Sequence, residues 1–238
     1  VMRRVIVFML LHYCTISFAQ QIPLNKKISS PEVLDEQAAT LSRVLLATYS
    51  NTDPMVYLDN RFRIELAAGQ FRESIKTIDS FQVIMGLANS PELAAMGIQF
   101  RAYALTKLGE NNKTPFQDAY YDTLAAVYGR LPEAAKTIAG EFFSGDTTQL
   151  LNQLKAYIET IKDKDTLSVE EARVLVRNWN SYRIFRQILL PGRRFLDNED
   201  NKKYVIQDSL LIPGHGSGKL SAVIVRPKDQ QGPLPVIL

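Results

Sequence analysis

A chain of 238 residues, 46% of them apolar and 22% charged, has the material for one large domain or two small ones, which excludes a largely disordered protein. Its 28 basic and 25 acidic residues make no field strong enough to call for nucleic acid or an anionic membrane. One cysteine excludes a disulfide framework.

The first nineteen residues stand apart. Arg3 and Arg4 precede the apolar run Val5 to Leu11, and Ser17-Phe18-Ala19 forms a small-x-small cleavage site before Gln20. This pattern predicts a secretory signal peptide over 1–19, cleaved after Ala19, and hence export to the periplasm or beyond the cell. The apolar run is short for a membrane span and is interrupted by His12 and Tyr13, so no stable span is expected after cleavage. Cys14 leaves with the leader, and Leu11, His12 and Tyr13 before it lack the small residues of a lipoprotein site. The mature chain then offers no Cys nucleophile and no Cys-ligated zinc, and losing Arg3 and Arg4 brings its net charge near neutrality.

From Ser30 onward, helix starts recur in one form, a capping residue followed by proline: Ser30-Pro31, Asp53-Pro54, Ser90-Pro91 and Thr114-Pro115. Apolar residues between them fall at helical spacing, as in Leu41, Val44, Leu45 and in Leu151, Leu154, Ile158, Ile161. The pattern predicts helices over 31–49, 54–68, 71–87, 91–108, 115–128, 132–143, 147–163 and 169–190, a helical domain spanning 30–191. Ser168 with Glu171 reads as a capping box, which explains Glu170 and Glu171 by the helix end rather than by catalysis. Asn112-Lys113-Thr114 has the form of a glycosylation sequon, but Pro115 follows it. Trp179, Tyr182, Arg183 and Arg186 form a stripe at helical spacing, read as core with the arginines on its solvated edge.

Within this region "LAAGQFRESI" (Leu66 to Ile75) resembles the junction between the two helices of a tetratricopeptide repeat, with Gly69 at the turn, Phe71 opening the second helix and Ser74 where that family favours Ala. Phe116 and Ala119 offer a second such opening. Phe71 and Phe116 are too far apart for the family's repeat of roughly 34 residues, so the reading is paired antiparallel helices rather than a regular array.

Pro191-Gly192 reads as a helix stop, and the charged run 192–203 as a linker. Two strands are expected over 204–212 and 220–226, followed by the short apolar run Val236 to Leu238. Between the strands lies "IPGHGSGKL", which invites a phosphate-loop reading. Gly218-Lys219 is preceded at the required place by Pro213 and followed by Leu220, so both ends of a P-loop fail. Gly214, Gly216 and Gly218 alternate and lead into a strand, not a helix, which excludes a dinucleotide fingerprint. Ser217 has His215 and Lys219 where a hydrolase elbow needs glycines, and His215 with Ser217 lacks a third group to orient the imidazole. The stretch is read as a hairpin turn.

The run "YVIQDSLLIPGHGSGKLSAVIVRPKDQQGPLPVIL" resembles the opening of an α/β-hydrolase domain, especially of exported X-Pro dipeptidyl-peptidase and cocaine-esterase-like hydrolases (peptidase family S15). Ile212-Pro213 ends the first strand, Leu220-Ser221-Ala222 and Arg226-Pro227 mark the second, and Pro235-Val236-Ile237-Leu238 enters the central sheet. Gly216-Ser217 replaces the usual Asp-Gly of the turn. Dienelactone-hydrolase-like and prolyl-oligopeptidase-like enzymes open similarly. The resemblance implies a serine hydrolase with a Ser nucleophile, a His relay, an orienting Asp and an oxyanion hole. All of these follow the last strand present, so no catalytic, cofactor-binding or metal residue is assigned within 1–238.

The expected fold class is therefore mainly α: an antiparallel helical-hairpin domain followed by the first strands of a truncated α/β-hydrolase domain over 204–238. The expected function is the N-terminal part of an exported serine hydrolase, inactive alone, meeting its peptide or ester substrate through the remaining catalytic domain and needing no cofactor. The rival is a periplasmic helical-repeat scaffold that binds a peptide or protein partner.

Overall fold

The computed structural model describes residues 21–88, 90–110, 113–213, 218–229 and 232. The expected leader, Asn112, His215, Ser217 and the run 236–238 lie outside them. Among the described residues the protein is mainly helical with two small antiparallel sheets. No helix among the described residues is long and apolar enough to cross a membrane.

Two of the four proline-led starts form as their chemistry dictates, while at Thr114-Pro115 the helix begins only at Phe116, with Pro115 at the cap position and no side-chain cap. The Ser30 hydroxyl accepts from the Val33 amide at the head of α1 (Pro31–Thr48), and the Asp53 carboxylate accepts from the amides of Met55 and Val56 at the head of α2 (Pro54–Ala67). Gly69, at φ 77°, makes the tight turn from α2 into α3 (Phe71–Ala88), the helical hairpin expected at "LAAGQFRESI". Ser74 there is fully buried, and its hydroxyl donates to the Phe71 carbonyl at 2.9 Å, so a hydroxyl is tolerated where alanine is usual.

Ser90-Pro91 behaves differently from the expectation of a helix over 91–108. The Ser90 side chain caps nothing, Pro91–Ala95 form only a 3-10 turn, and Gly97 at φ 82° breaks the chain before α4 (Ile98–Leu108). Next come α5 (Phe116–Tyr128), the short α6 (Glu133–Ile138) and a 3-10 turn over Ala139–Phe143, so the helix expected over 132–143 is also split. After them runs α7 (Thr147–Ile161). Two three-residue strands escaped the sequence: β1 (Gln21–Pro23) pairs antiparallel with β2 (Thr166–Ser168), burying Ile22 against Leu167.

The main correction concerns Pro191. The last helix, α8 (Val169–Lys203), is 35 residues long and runs through Pro191 and Gly192, so the charged segment 192–203 is helix and not a linker. Proline inside a helix costs about 3 kcal/mol. Ile188, Leu189 and Phe195 are buried around it, at about 2 kcal/mol each. The Phe195 ring meets Tyr121 and Tyr128 edge-on at 5.5 and 5.2 Å, and Arg193 donates to the carbonyls of Phe143 and Gly145. Tertiary packing outweighs the local penalty.

Two apolar cores result. One gathers α1, α7, the small β1–β2 pair and the first half of α8 around Leu34, Leu45, Leu154, Ile158, Leu175 and Trp179. The other gathers α3, α4, α5 and the second half of α8 around Ile78, Phe81, Phe100, Tyr120, Ile188 and Phe195. Two helices serve both: α2 places Ile64 in the first and Phe62 in the second, and α8 runs along each in turn.

Beyond α8 the chain passes directly into β3 (Tyr204–Pro213), which pairs antiparallel with β4 (Lys219–Pro227). The register shifts between Gln207 and Leu210, where Ser209 takes φ 59°, a bulge that bends the ribbon. The Lys228 amide donates to the Lys203 carbonyl at 2.9 Å and ties the base of the hairpin to the end of α8.

Gly192 gives a sharp test of the continuous α8. In an open helix, glycine to alanine stabilises by about 1 kcal/mol. Here an added Cβ would stand 2.3 Å from two atoms of the buried Phe143 ring. Gly192→Ala is expected to lower stability by about 2 kcal/mol in urea unfolding, the cost of overpacking a filled site; a gain in stability would contradict the packing described.

Candidate functional site

The stripe on α8 lies where its spacing put it. Trp179 is buried and donates from Nε1 to the Asp35 carboxylate at 2.5 Å; Arg183 reaches the same carboxylate at 3.0 Å. The Arg186 guanidinium lies 5.5 Å over the Tyr182 ring at the solvated edge. Glu171 closes the capping box with Ser168: its carboxylate accepts from the Ser168 amide at 2.9 Å while its own amide donates to the Ser168 hydroxyl at 3.2 Å. These groups are occupied by structure, and they form no reactive centre.

A different set of residues converges. On α2, Asp59, Asn60 and Arg63 fall on one face; on α8, Glu170, Arg173 and Arg177 do the same at helical spacing. The two faces meet across the boundary between the cores. The Asp59 carboxylate accepts from Arg63 at 3.0 and 3.1 Å on one oxygen and from Arg177 at 2.7 Å on the other. The Asn60 amide donates to the Tyr49 hydroxyl and the Val56 carbonyl, both at 2.9 Å, while its oxygen accepts from Arg173 at 2.9 Å and Arg177 at 3.1 Å. Arg173 also grips the Glu170 carboxylate through two nitrogens.

Electrostatics follow from this packing. Burial alone would push the Asp59 carboxyl up, but the Arg63 and Arg177 charges outweigh it and hold the group below the usual carboxylate range. Burial pulls Arg63 below the usual guanidinium value and Asp59 opposes that pull; the Arg63 side chain is only 15% exposed and lies 4.5 and 5.0 Å from the ring centres of Phe100 and Phe62.

This network floors a cavity of about 770 Å³ whose other wall is apolar, built from Met55, Val56, Phe81, Met85 and Met96. Three guanidinium groups face two carboxylates, a surplus of one positive charge. Arg63 and Arg177 also line a second cavity of about 400 Å³ beside it. Arg177 spends only Nη1 on Asp59 and Asn60, which leaves its Nε and Nη2 edge for another acceptor. Guanidinium, carboxylate and amide groups supply most of the charged and polar lining of the first cavity, an arrangement suited to holding an ionic ligand.

Of these residues the sequence singled out Glu170 alone, and assigned it to the end of a helix. The repeats Asp59 to Arg63 and Arg173 to Arg177, each four apart, were the available signal, but such pairs are common on solvated helix faces. Comparison with protein-family models, curated proteins and solved structures finds no match.

Removing the central carboxylate leaves Arg63 buried without its partner, so Asp59→Asn is expected to lower stability by about 3 kcal/mol at neutral pH. The sign with pH is set by the lowered carboxyl. An unfolded Asp titrates near 4, above the folded value, so the stabilisation is complete above about pH 5 and is lost as pH falls through the folded value. Urea unfolding at neutral and acid pH should show the difference between wild type and Asp59→Asn shrinking below pH ~4; a difference independent of pH would refute the assignment.

Proposed function

We propose that this chain is the N-terminal part of an exported serine hydrolase that cleaves amide or ester bonds. In this reading the helical body is an accessory domain, and the β3–β4 hairpin opens a sheet-based catalytic domain whose nucleophile, base and oxyanion hole lie beyond residue 238.

The observation that carries the reading is the surface of the hairpin. Leu211 and Leu220 are 62% and 63% exposed, and neighbouring Val223 and Ile224, which point to opposite faces, are 57% and 48% exposed. Apolar residues on both faces of a strand pair are the pattern of a sheet interior covered on each side, as in α/β proteins. A two-stranded ribbon of this kind gains too little from its own pairing to be stable in water. Together with Ile212-Pro213, Leu220-Ser221-Ala222 and Arg226-Pro227, this supports an α/β-hydrolase opening; specificity for X-Pro peptides rests on the resemblance to family S15 alone.

The reading predicts that the frame continues past Leu238 into a strand followed by Gly-x-Ser-x-Gly, with an Asp and then a His further on. The longer protein should be labelled by a fluorophosphonate, and alanine in place of the elbow serine should abolish labelling. A stop codon directly after Leu238, or a folded longer protein that resists the probe, would overturn the reading in favour of a peptide-binding helical scaffold.

A further inference from the structure

We propose that the cleft between α2 and α8 binds the C-terminal residue of a peptide, taking its α-carboxylate on the Nε and Nη2 edge of Arg177 and its apolar side chain against Met55, Met85 and Met96. The inference is independent of the hydrolase reading, because it uses only residues of the helical body.

The chemistry narrows the ligand stepwise. A surplus of one guanidinium disfavours a cation. Asp59 and Glu170 stand within the same floor, so a dianion such as a phosphate would meet two carboxylates; a single carboxylate matches the surplus of one. The free side of Arg177 presents two parallel N–H groups, the geometry that fits a carboxylate through two hydrogen bonds. Its other side is already held at 2.7 Å by Asp59 and 3.1 Å by Asn60, so the fork is oriented before the ligand arrives and little ordering entropy is lost on binding.

The opposite wall defines what must accompany the carboxylate. Met55 and Val56 are exposed apolar residues of α2 at the cavity rim, and Met85, Met96 and Phe81 continue the surface inward. Methionine side chains reshape around different apolar groups, so the wall suits leucine, methionine or phenylalanine alike. A peptide C-terminus carries a carboxylate and an apolar side chain on the same carbon; an internal Asp or Glu does not. Arg63 and Arg177 line the second cavity as well, whose roughly 400 Å³ has room for the preceding residues.

Isothermal titration of the full chain with N-acetyl-Gly-Gly-Leu as the free acid should show saturable binding. The C-terminal amide of the same peptide should bind at least about tenfold more weakly, the loss expected for charge-assisted hydrogen bonds. An amidated peptide with an internal Glu should bind no better than the amide. Arg177→Gln should remove the preference for acid over amide, and Arg177→Lys, which keeps the charge without the fork, should restore only part of it. Equal binding of acid and amide by the wild-type chain, or no binding of the acid at millimolar concentration, would overturn the proposal whatever the variants do.

Discussion

The packing that carries α8 unbroken through Pro191 is the constraint on which the rest of the molecule depends. This one helix lends Leu175 and Trp179 to the first core and Ile188 and Phe195 to the second, and it delivers the chain directly into β3. Were it to stop at Leu190, the second core would lose Phe195, Tyr121 and Tyr128 would lose their shared partner, and the hairpin would hang on a coil. The local cost of proline is about 3 kcal/mol, smaller than what the surrounding apolar burial returns. Gly192 completes the arrangement by letting the helix approach the Phe143 ring more closely than any other residue could.

A helix shared by two cores must cross the boundary between them, and there its side chains cannot all be apolar without fusing the cores into one. The α2–α8 crossing solves this with Asp59 and Asn60 facing Arg63, Arg173 and Arg177. Such a buried network is demanding, because each charge depends on the others for its solvation. It also leaves donors over: Arg177 is satisfied on one side only. The same seam that joins the cores thus floors the cavity proposed to receive a carboxylate, and structural and binding roles share residues there.

Much of this was legible in the sequence, for physical reasons that can be named. The caps at Ser30, Asp53 and Ser168 are local chemistry, and each formed as its side chain required. The turn at Gly69 and the strands on either side of the glycine stretch are local patterns too. Local rules failed where distant packing decides. Pro191-Gly192 carries every mark of a helix stop, and only Phe143, Phe195 and Arg193, drawn together by the fold, reverse it. Ser90-Pro91 looks like its sister starts, yet Gly97 ends the turn almost at once. β1 and β2 are three residues each, too short for any periodicity to announce. The cleft was invisible because its members lie more than a hundred residues apart, as in Asp59 with Arg177.

The hairpin and the helical body make opposite demands on their surroundings. The body encloses two apolar cores, whereas the hairpin encloses none and shows Leu211, Leu220 and Val225 to solvent. Because β3 begins at Tyr204, directly after α8 ends at Lys203, no loop separates the hairpin from the helix that lines the cleft. Amide hydrogen exchange along 186–203 tests that spine most directly. An unbroken α8 predicts slow exchange continuing past Pro191 through Arg193, Phe195 and Leu196; protection that ends at Leu190, with fast exchange from Gly192 onward, would contradict it.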